Sequence, residues 1–137
     1  MSVPPPDDKL LTELQERAKE LKCLYQIEDI LRAPDRDEET VLEALLSAIP
    51  SGWRYPDRCR TRIIYHGQVR AADGFKESAP TLEAAIVEQG RTVGRVEVCF
   101  LSKAAVPLEI TFLPEEDRLI KAIADRIAQA MLHRKLL

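Results

Sequence analysis

Residues 9 to 32 repeat apolar side chains every three or four positions, with charged residues between them. This period predicts a long amphipathic helix. Its main apolar stripe consists of Leu10, Leu14, Ala18, Leu21, Leu24 or Tyr25, and Leu31. That surface is widened by Leu11, Cys23, Ile27 and Ile30. The additional surface predicts contact with a second helix or a partner chain, and the alternative is a thick core helix of a monomer.

A proline and two aspartates separate this helix from a second, shorter one. Pro34 ends the first helix, because the residue before a proline is pushed out of the α region. Asp35 or Asp37 can cap the second helix, whose apolar residues between 38 and 49 mark one helical face. The Pro-Ser-Gly sequence at residues 50–52 ends that helix.

Two hairpins are predicted in the middle of the chain. The first joins residues 59–65 to 68–72 through His66-Gly67, and the second joins two apolar runs between 81 and 102 through residues 88–91, Glu-Gln-Gly-Arg. Glycine suits such turns because it adopts positive φ at no steric cost. The last strand alternates Val96, Val98 and Phe100 with Arg95, Glu97 and Cys99. This alternation predicts one apolar and one charged sheet face.

A long helix is predicted at the end of the chain, after a loop over residues 103–111. It begins with Phe-Leu-Pro-Glu-Glu-Asp at residues 112–117, where proline suits the first position and the acids complement the helix dipole. Helices at both ends predict an α+β fold, with an antiparallel sheet and the long N- and C-terminal helices packed on one face. Their spare apolar surface predicts a homodimer with a four-helix bundle. The predicted interface residues are Leu14, Leu21, Ile120, Ile123, Ile127 and Met131.

Length and charge narrow the classes of function. The 137 residues fit one domain, which we assign to residues 9–137 after a flexible, proline-rich lead at residues 1–8. The 20 Lys and Arg are outnumbered by 23 Asp and Glu, so no basic surplus indicates nucleic-acid binding. No apolar run of about 18 residues could span a bilayer. We therefore predict a cytoplasmic protein without a membrane or nucleic-acid partner.

The cysteines give no sign of a metal or cofactor site. Cys23, Cys59 and Cys99 are an odd number at wide spacing, without a CxxC pair and with only two histidines in the chain. Neither a zinc site nor a disulfide framework is expected. We predict no metal, no cofactor and no catalytic residue.

Two segments resemble the GAF domains of bacterial and archaeal signalling proteins. Residues 86–98, Ile-Val-Glu-Gln-Gly-Arg-Thr-Val-Gly-Arg-Val-Glu-Val, are similar to that fold's hairpin with its small residue after the turn. Residues 112–120, Phe-Leu-Pro-Glu-Glu-Asp-Arg-Leu-Ile, are similar to the start of its terminal helix. Residues 24–56 are similar to a subgroup found at the N-terminus of sensor histidine kinases and of proteins related to phosphoenolpyruvate synthase. The resemblance covers about residues 10–137.

The resemblance implies a non-catalytic sensory or regulatory module in signal transduction, which dimerises through its terminal helices and binds a small ligand. In ligand-binding GAF domains a long insertion roofs a pocket on the sheet face away from the terminal helices. The candidate roof here is the short loop 73–80, so a large enclosed cofactor pocket is not expected. A histidine kinase or another output domain is an expected partner, although the phosphoacceptor pattern of histidine followed by an acid is absent around His133.

An anionic effector is the ligand class that the polar sheet face would suit. The candidate ligand-binding residues are Arg60, Arg62, Arg95, Trp53 and Tyr55. Arginines can converge on an anion through bidentate hydrogen bonds. The alternative is that they pair across strands with Glu97 or Glu83. The two aromatic rings line a ligand pocket or, alternatively, cap the end of the core.

Two further functions are weighed against sensing. One is a dimerisation or scaffold domain without a ligand, which the short roof loop favours. The other is a thiol-dependent reductase, by analogy with GAF-fold methionine sulfoxide reductases, using Cys59 and Cys99. No histidine stands close to either cysteine in sequence to activate a thiolate, so buried structural cysteines are the preferred interpretation.

Overall fold

The computed structural model describes residues 8–101 and 112–136. Among these residues the helices are α1 (Asp8–Arg32), α2 (Glu38–Ala48) and α3 (Pro114–Leu136), and the strands are β1 (Cys59–Tyr65), β2 (Gln68–Ala71), β3 (Thr81–Glu88) and β4 (Arg91–Phe100). Two 3-10 turns, Ile49–Gly52 and Pro56–Arg58, connect α2 to β1. The predicted α+β fold is confirmed. The predicted lead lies outside the described residues except for Asp8, which begins α1, and the predicted loop 103–111 lies outside them entirely.

The four described strands form one antiparallel sheet in the order β2-β1-β4-β3. Each hairpin turns through two residues of positive φ: His66 at 49° and Gly67 at 81°, then Gln89 at 50° and Gly90 at 78°. Two successive positive φ angles are typical of the type I′ turn, whose twist matches that of the flanking strands. Because β1 pairs with β4, both turns lie at the same end of the sheet.

The helices cover one face of the sheet. α2 packs on β1 and β2, α3 packs mainly on β3, and α1 lies against α2, α3 and the first 3-10 turn. The sheet residues buried beneath them include Cys59, Ile63, Tyr65, Ala84, Ile86, Val96 and Val98. Alternate residues of β1 share this face, because successive side chains of a strand point to opposite sides.

Gly94 allows β4 to approach β1 closely. It lies opposite Tyr65 in the sheet. A Cβ atom at Gly94 would lie 1.9 Å from the carbonyl oxygen of Ile64 and 2.8 Å from its carbonyl carbon. Only glycine therefore fits here without moving the backbone of the two central strands.

Carboxylates fix the beginnings of two helices. The backbone N–H of Thr40 donates to Asp37 Oδ1 over 2.8 Å, so Asp37 is the N-cap of α2. Glu116, in the first turn of α3, accepts hydrogen bonds from the backbone N–H groups of Leu113 and Arg54, both over 2.7 Å. The first of these bonds completes a capping arrangement, and the second ties the loop after the 3-10 turn to α3.

Candidate functional site

The three candidate arginines lie on the sheet face opposite the helices. Arg62 of β1 is directly opposite Glu97 of β4. Its Nε donates to Glu97 Oε1 over 2.8 Å and its second terminal nitrogen to Glu97 Oε2 over 3.0 Å, which is a bidentate ion pair. Arg62 also pairs with Glu77, and its guanidinium lies 4.6 Å from the ring centre of Phe75. The loop after β2 thus lies on the polar face and covers the Arg62–Glu97 pair.

The other two arginines also have partners within the chain. Arg95 Nε lies 3.3 Å from Glu97 Oε1 and 3.8 Å from Glu83 Oε2. Arg60 donates to three backbone carbonyl oxygens, those of Asp57, Cys59 and Asp73, over 2.9, 2.8 and 3.2 Å. The structure therefore shows the cross-strand pairing of Arg62 and Arg95 with Glu97 and Glu83 that was the alternative to anion binding.

The hydrogen bonds of Arg62 also shift pKa values at this site, both its own and that of its partner Glu77. The bonds to Glu97 and Glu77 raise the pKa of Arg62 above its ordinary value. The hydrogen bond from Arg62 lowers the pKa of the exposed Glu77. Both groups therefore stay ionised at neutral pH, and an anionic ligand of Arg62 would have to displace a carboxylate that Arg62 already binds.

The two candidate aromatic residues lie in different environments. Trp53 is 1% exposed and belongs to the hydrophobic core, where its carbonyl oxygen accepts a hydrogen bond of 2.9 Å from Lys19 Nζ. Tyr55 is 49% exposed, and its ring meets the edge of Phe100 at a centroid distance of 6.1 Å. Trp53 caps the core, as the alternative interpretation predicted, and only Tyr55 of the two presents its ring to solvent.

The six residues predicted at a dimer interface divide into two groups. The members on α3 are buried within the subunit, at 0 to 1% exposure: Ile120, Ile123, Ile127 and Met131. They pack into the subunit's own core, which accounts for their apolar character without a partner. Leu14 and Leu21 on α1 are 56% and 57% exposed. Only the α1 part of the predicted interface is therefore available on the surface of the folded subunit.

α1 has two apolar faces on opposite sides. Cys23, Ile27 and Leu31 are its buried residues and face the core. The exposed face carries Leu11, Leu14, Ala18, Leu21 and Tyr25. These five residues follow the 3-4-3-4 spacing of a heptad seam, and we call them the α1 seam. At 100° per residue the seam lies on the side of the helix opposite the core-facing residues.

The division of α1 into a core face and an exposed seam corrects the sequence-based assignment of its apolar residues. Leu10, Leu14 and Leu21 were expected on the main stripe, and Cys23 and Ile27 were expected to widen it. In the structure Cys23 and Ile27 are fully buried, and the three leucines are exposed. The heptad spacing from Leu11 to Tyr25 was the signal in the sequence that distinguishes the two faces.

The three cysteines are buried free thiols. Cys59 faces the helices, whereas Cys99, opposite Arg60 in the sheet, faces the other side, so the two thiols do not form a pair of neighbours on one face. Burial is the main cause that raises the pKa of Cys59 to about 12, and burial also raises the pKa of Cys23. A thiolate nucleophile is disfavoured at both positions.

A cluster of ionisable side chains that the sequence analysis did not identify joins the hairpin turns to the end of α3. Tyr65 donates its hydroxyl hydrogen to Glu88 Oε2 over 2.6 Å. Glu88 Oε1 lies 3.0 Å from His66 Nε2 and 3.2 Å from Lys135 Nζ. Lys135 Nζ also lies 3.0 Å from His66 Nε2 and 5.1 Å from the centre of the Tyr65 ring. We call these four residues the Glu88 cluster.

The Glu88 side chain is 6% exposed, while those of His66 and Lys135 are 48% and 43% exposed. Burial alone would raise the pKa of Glu88, but the hydrogen bonds from Tyr65, His66 and Lys135 outweigh it and lower the pKa below its ordinary value. Burial and the bond to Glu88 raise the pKa of Tyr65 to about 12. Glu88 is therefore an ionised, nearly buried carboxylate at neutral pH.

Comparisons with other proteins do not identify the chain. No family model, curated protein or solved structure matches it. The described residues contain no group of three or more His, Cys, Asp or Glu side chains that could hold a metal ion. Of the helices in the described part of the chain, none has the length and apolarity needed to cross a membrane.

Proposed function

We propose that the protein is a non-catalytic regulatory module that forms a homodimer through α1 and is related in organisation to the GAF domains of signalling proteins. The single observation that carries this proposal is the α1 seam. A second apolar face on the side of a helix opposite its core face is typical of a site of contact with another apolar surface.

A second copy of the chain is the partner that the seam fits best. Heptad spacing over five positions, from Leu11 to Tyr25, is typical of helices that pack side by side with knobs in holes. An isologous dimer needs only one such surface, because the same patch serves both subunits. Leu10, which is 54% exposed, lies next to the seam and extends its apolar surface.

The covered Arg62–Glu97 pair on the polar sheet face supports a regulatory role that does not depend on a bound cofactor. Arg62 and Glu97 neutralise each other beneath Phe75. In this function the module brings two output domains, such as those of a histidine kinase, into proximity in the cytoplasm. Three buried, unpaired thiols agree with a reducing compartment.

Sensing of a small anion is the second candidate. Arg95 supports it, because its side chain is 47% exposed and its two carboxylate contacts, at 3.3 and 3.8 Å, are longer than those of Arg62. An anion could bind to this guanidinium without opening the bidentate pair next to it.

The proposal is tested by the mass of the assembly under native conditions. We expect the wild-type protein, purified from its own host, to show the mass of two chains by native mass spectrometry and by sedimentation equilibrium. Leu14→Glu together with Leu21→Glu should give the mass of one chain, because four charges would meet in the seam. Glutamate forms helices well, so α1 should remain intact by circular dichroism.

A matched control variant replaces two exposed apolar residues outside α1 with glutamate. Val69 and Leu136 are 58% and 74% exposed. Val69→Glu together with Leu136→Glu should remain a dimer. A monomeric wild type, or a dimer that survives the change of Leu14 and Leu21, contradicts the proposal. A dimer whose mass includes a bound anion favours the sensing function. A dimer with the mass of two chains alone favours the dimerisation function without a ligand.

A further inference from the structure

His66 Nε2 contacts one group that accepts hydrogen bonds and one group that donates them. An ionised carboxylate such as Glu88 only accepts hydrogen bonds, and an ammonium group such as Lys135 only donates them. Both lie 3.0 Å from the same ring nitrogen. One nitrogen cannot donate to Glu88 and accept from Lys135 at the same time.

The tautomer and the protonation state of the imidazole decide which contact is satisfied. A neutral ring with its proton on Nδ1 uses the lone pair of Nε2 to accept from Lys135, and a neutral ring with its proton on Nε2 donates to Glu88. Neither neutral form places a positive charge beside the Lys135 ammonium. A doubly protonated ring carries a hydrogen on Nε2, donates it to Glu88, and adds a positive charge 3.0 Å from the Lys135 ammonium. Lys135 then retains Glu88 Oε1, 3.2 Å away, as an acceptor that it shares with His66.

The other charges around the cluster do not remove this competition. The groups that face His66 are Glu88 from β3, Tyr65 from β1 and Lys135 from α3. Arg91 lies opposite Glu88 at the second hairpin turn. Arg134, next to Lys135 on α3, is directed elsewhere and donates to the carbonyl oxygens of Ala33 and Arg36.

We propose that His66 is a proton-operated switch on the last turn of α3. Neutral His66 places no charge beside Lys135, and the last turn stays held against the two hairpin turns; protonated His66 donates to Glu88 and repels the Lys135 ammonium, so that the end of the helix opens more often. The last turn is sensitive to this change because the final carbonyl groups of a helix have no partners within it. This inference does not depend on the dimer, since the α1 seam is formed by another helix.

Hydrogen exchange of the full chain measures the opening of this turn. Experiments at about pH 5 and about pH 8 compare the two states, because histidine is the side chain that ordinarily changes its charge within this interval. Glu88 stays ionised at both values because its pKa is lowered. After correction for the intrinsic exchange rate, we expect protection of the peptide covering residues 130–136 to fall by about threefold or more at the lower pH, as for loss of one exposed charged contact.

Two single variants separate the switch from general effects of pH. His66→Asn removes the titrating ring, and asparagine tolerates the positive φ of 49° at this position. His133→Asn makes the same change at the other histidine, which is exposed on α3. We expect His133→Asn to follow the wild type and His66→Asn to lose the dependence on pH.

A third variant tests the partner of the switch. Lys135→Met retains an unbranched side chain but has no ammonium group, and Lys135 is exposed enough for the fold to tolerate the change. Its protection at about pH 8 should be as low as that of the wild type at about pH 5. Equal protection of the wild type at both pH values overturns the proposal, and so does a pH dependence that persists in His66→Asn.

Discussion

Individual side chains on α3 and α1 show why hydrophobicity alone does not indicate what a residue contacts. Ile123 and Leu21 both lie on long helices and were both expected at a subunit interface. Ile123 is 0% exposed in the core, whereas Leu21 is 57% exposed. Replacement of Ile123 by a smaller residue therefore opens a cavity in the core, whereas replacement of Leu21 alters the surface of the subunit.

Truncation of Ile123 should strongly destabilise the folded subunit. Ile123→Ala removes buried methyl and methylene groups and leaves a cavity, so we expect the free energy of unfolding to fall by about 2–5 kcal/mol. Leu136→Ala on the same helix is the control, since Leu136 is 74% exposed and its loss should change stability by less than about 0.5 kcal/mol. Urea denaturation measures both values. Similar losses for the two variants would show that Ile123 is not a core residue.

The local sequence predicted the residues of β1 better than those of β4. The two-residue period of the predicted strand at residues 59–65 places Cys59, Thr61, Ile63 and Tyr65 on one face, and all four are buried. In β4 the expected charged face is not open, because Glu97 and Cys99 are 6% and 0% exposed. Burial of Glu97 depends on Arg62 and on a loop distant in sequence, and neither contact can be read from the pattern of one strand.

At the scale of secondary structure elements, turn chemistry and helix caps could be predicted from the sequence. The His-Gly and Gln-Gly pairs at the two turns have the positive φ angles that such turns require. Pairing of β1 with β4 could not be predicted, because it joins two hairpins that are separate in sequence. Gly94 depends on exactly that pairing, since its neighbour is the backbone of β1.

Replacement of Gly94 should therefore be far more costly than replacement of a turn glycine. Gly94→Ala places a methyl group 1.9 Å from a backbone oxygen of β1, and we expect a loss of about 3 kcal/mol or more in the free energy of unfolding. Gly90→Ala has no atom within 4 Å of the new methyl group and should lose about 1–2 kcal/mol from its positive φ. Chemical denaturation compares the two variants. Equal losses would contradict the close approach of β4 to β1.

At the scale of the whole molecule, the Glu88 cluster joins the sheet to the end of α3. Its members come from β1, the first hairpin turn, β3 and α3, and more than 40 residues separate Glu88 from Lys135. Sequence reasoning missed the cluster because no short motif contains it. The predicted hairpins placed His66 in a turn and Tyr65 at the end of a strand, but the distances between the members of the cluster follow only from the packed fold.

The contribution of Glu88 to stability should depend on pH in a defined direction. Its pKa is lowered in the folded state, so its stabilising effect is present above the ordinary carboxyl pKa and is lost as the pH falls through the folded-state pKa. We expect the difference in unfolding free energy between the wild type and Glu88→Gln to be largest near neutral pH and to shrink toward about pH 3. Urea denaturation across this range measures it. A difference that does not change with pH would show that the ionised carboxylate contributes no net stability.

In the proposed dimer, the two apolar faces of α1 make one helix part of two interiors. Cys23 and Ile27 fill the core, and the α1 seam on the opposite side is the proposed contact with a second subunit. A rotation of α1 about its own axis therefore changes the contacts of the core face and of the α1 seam together. Folding and assembly would then be thermodynamically linked, with a melting temperature that rises with protein concentration, and a change in the core of one subunit would reach the other through the thickness of a single helix.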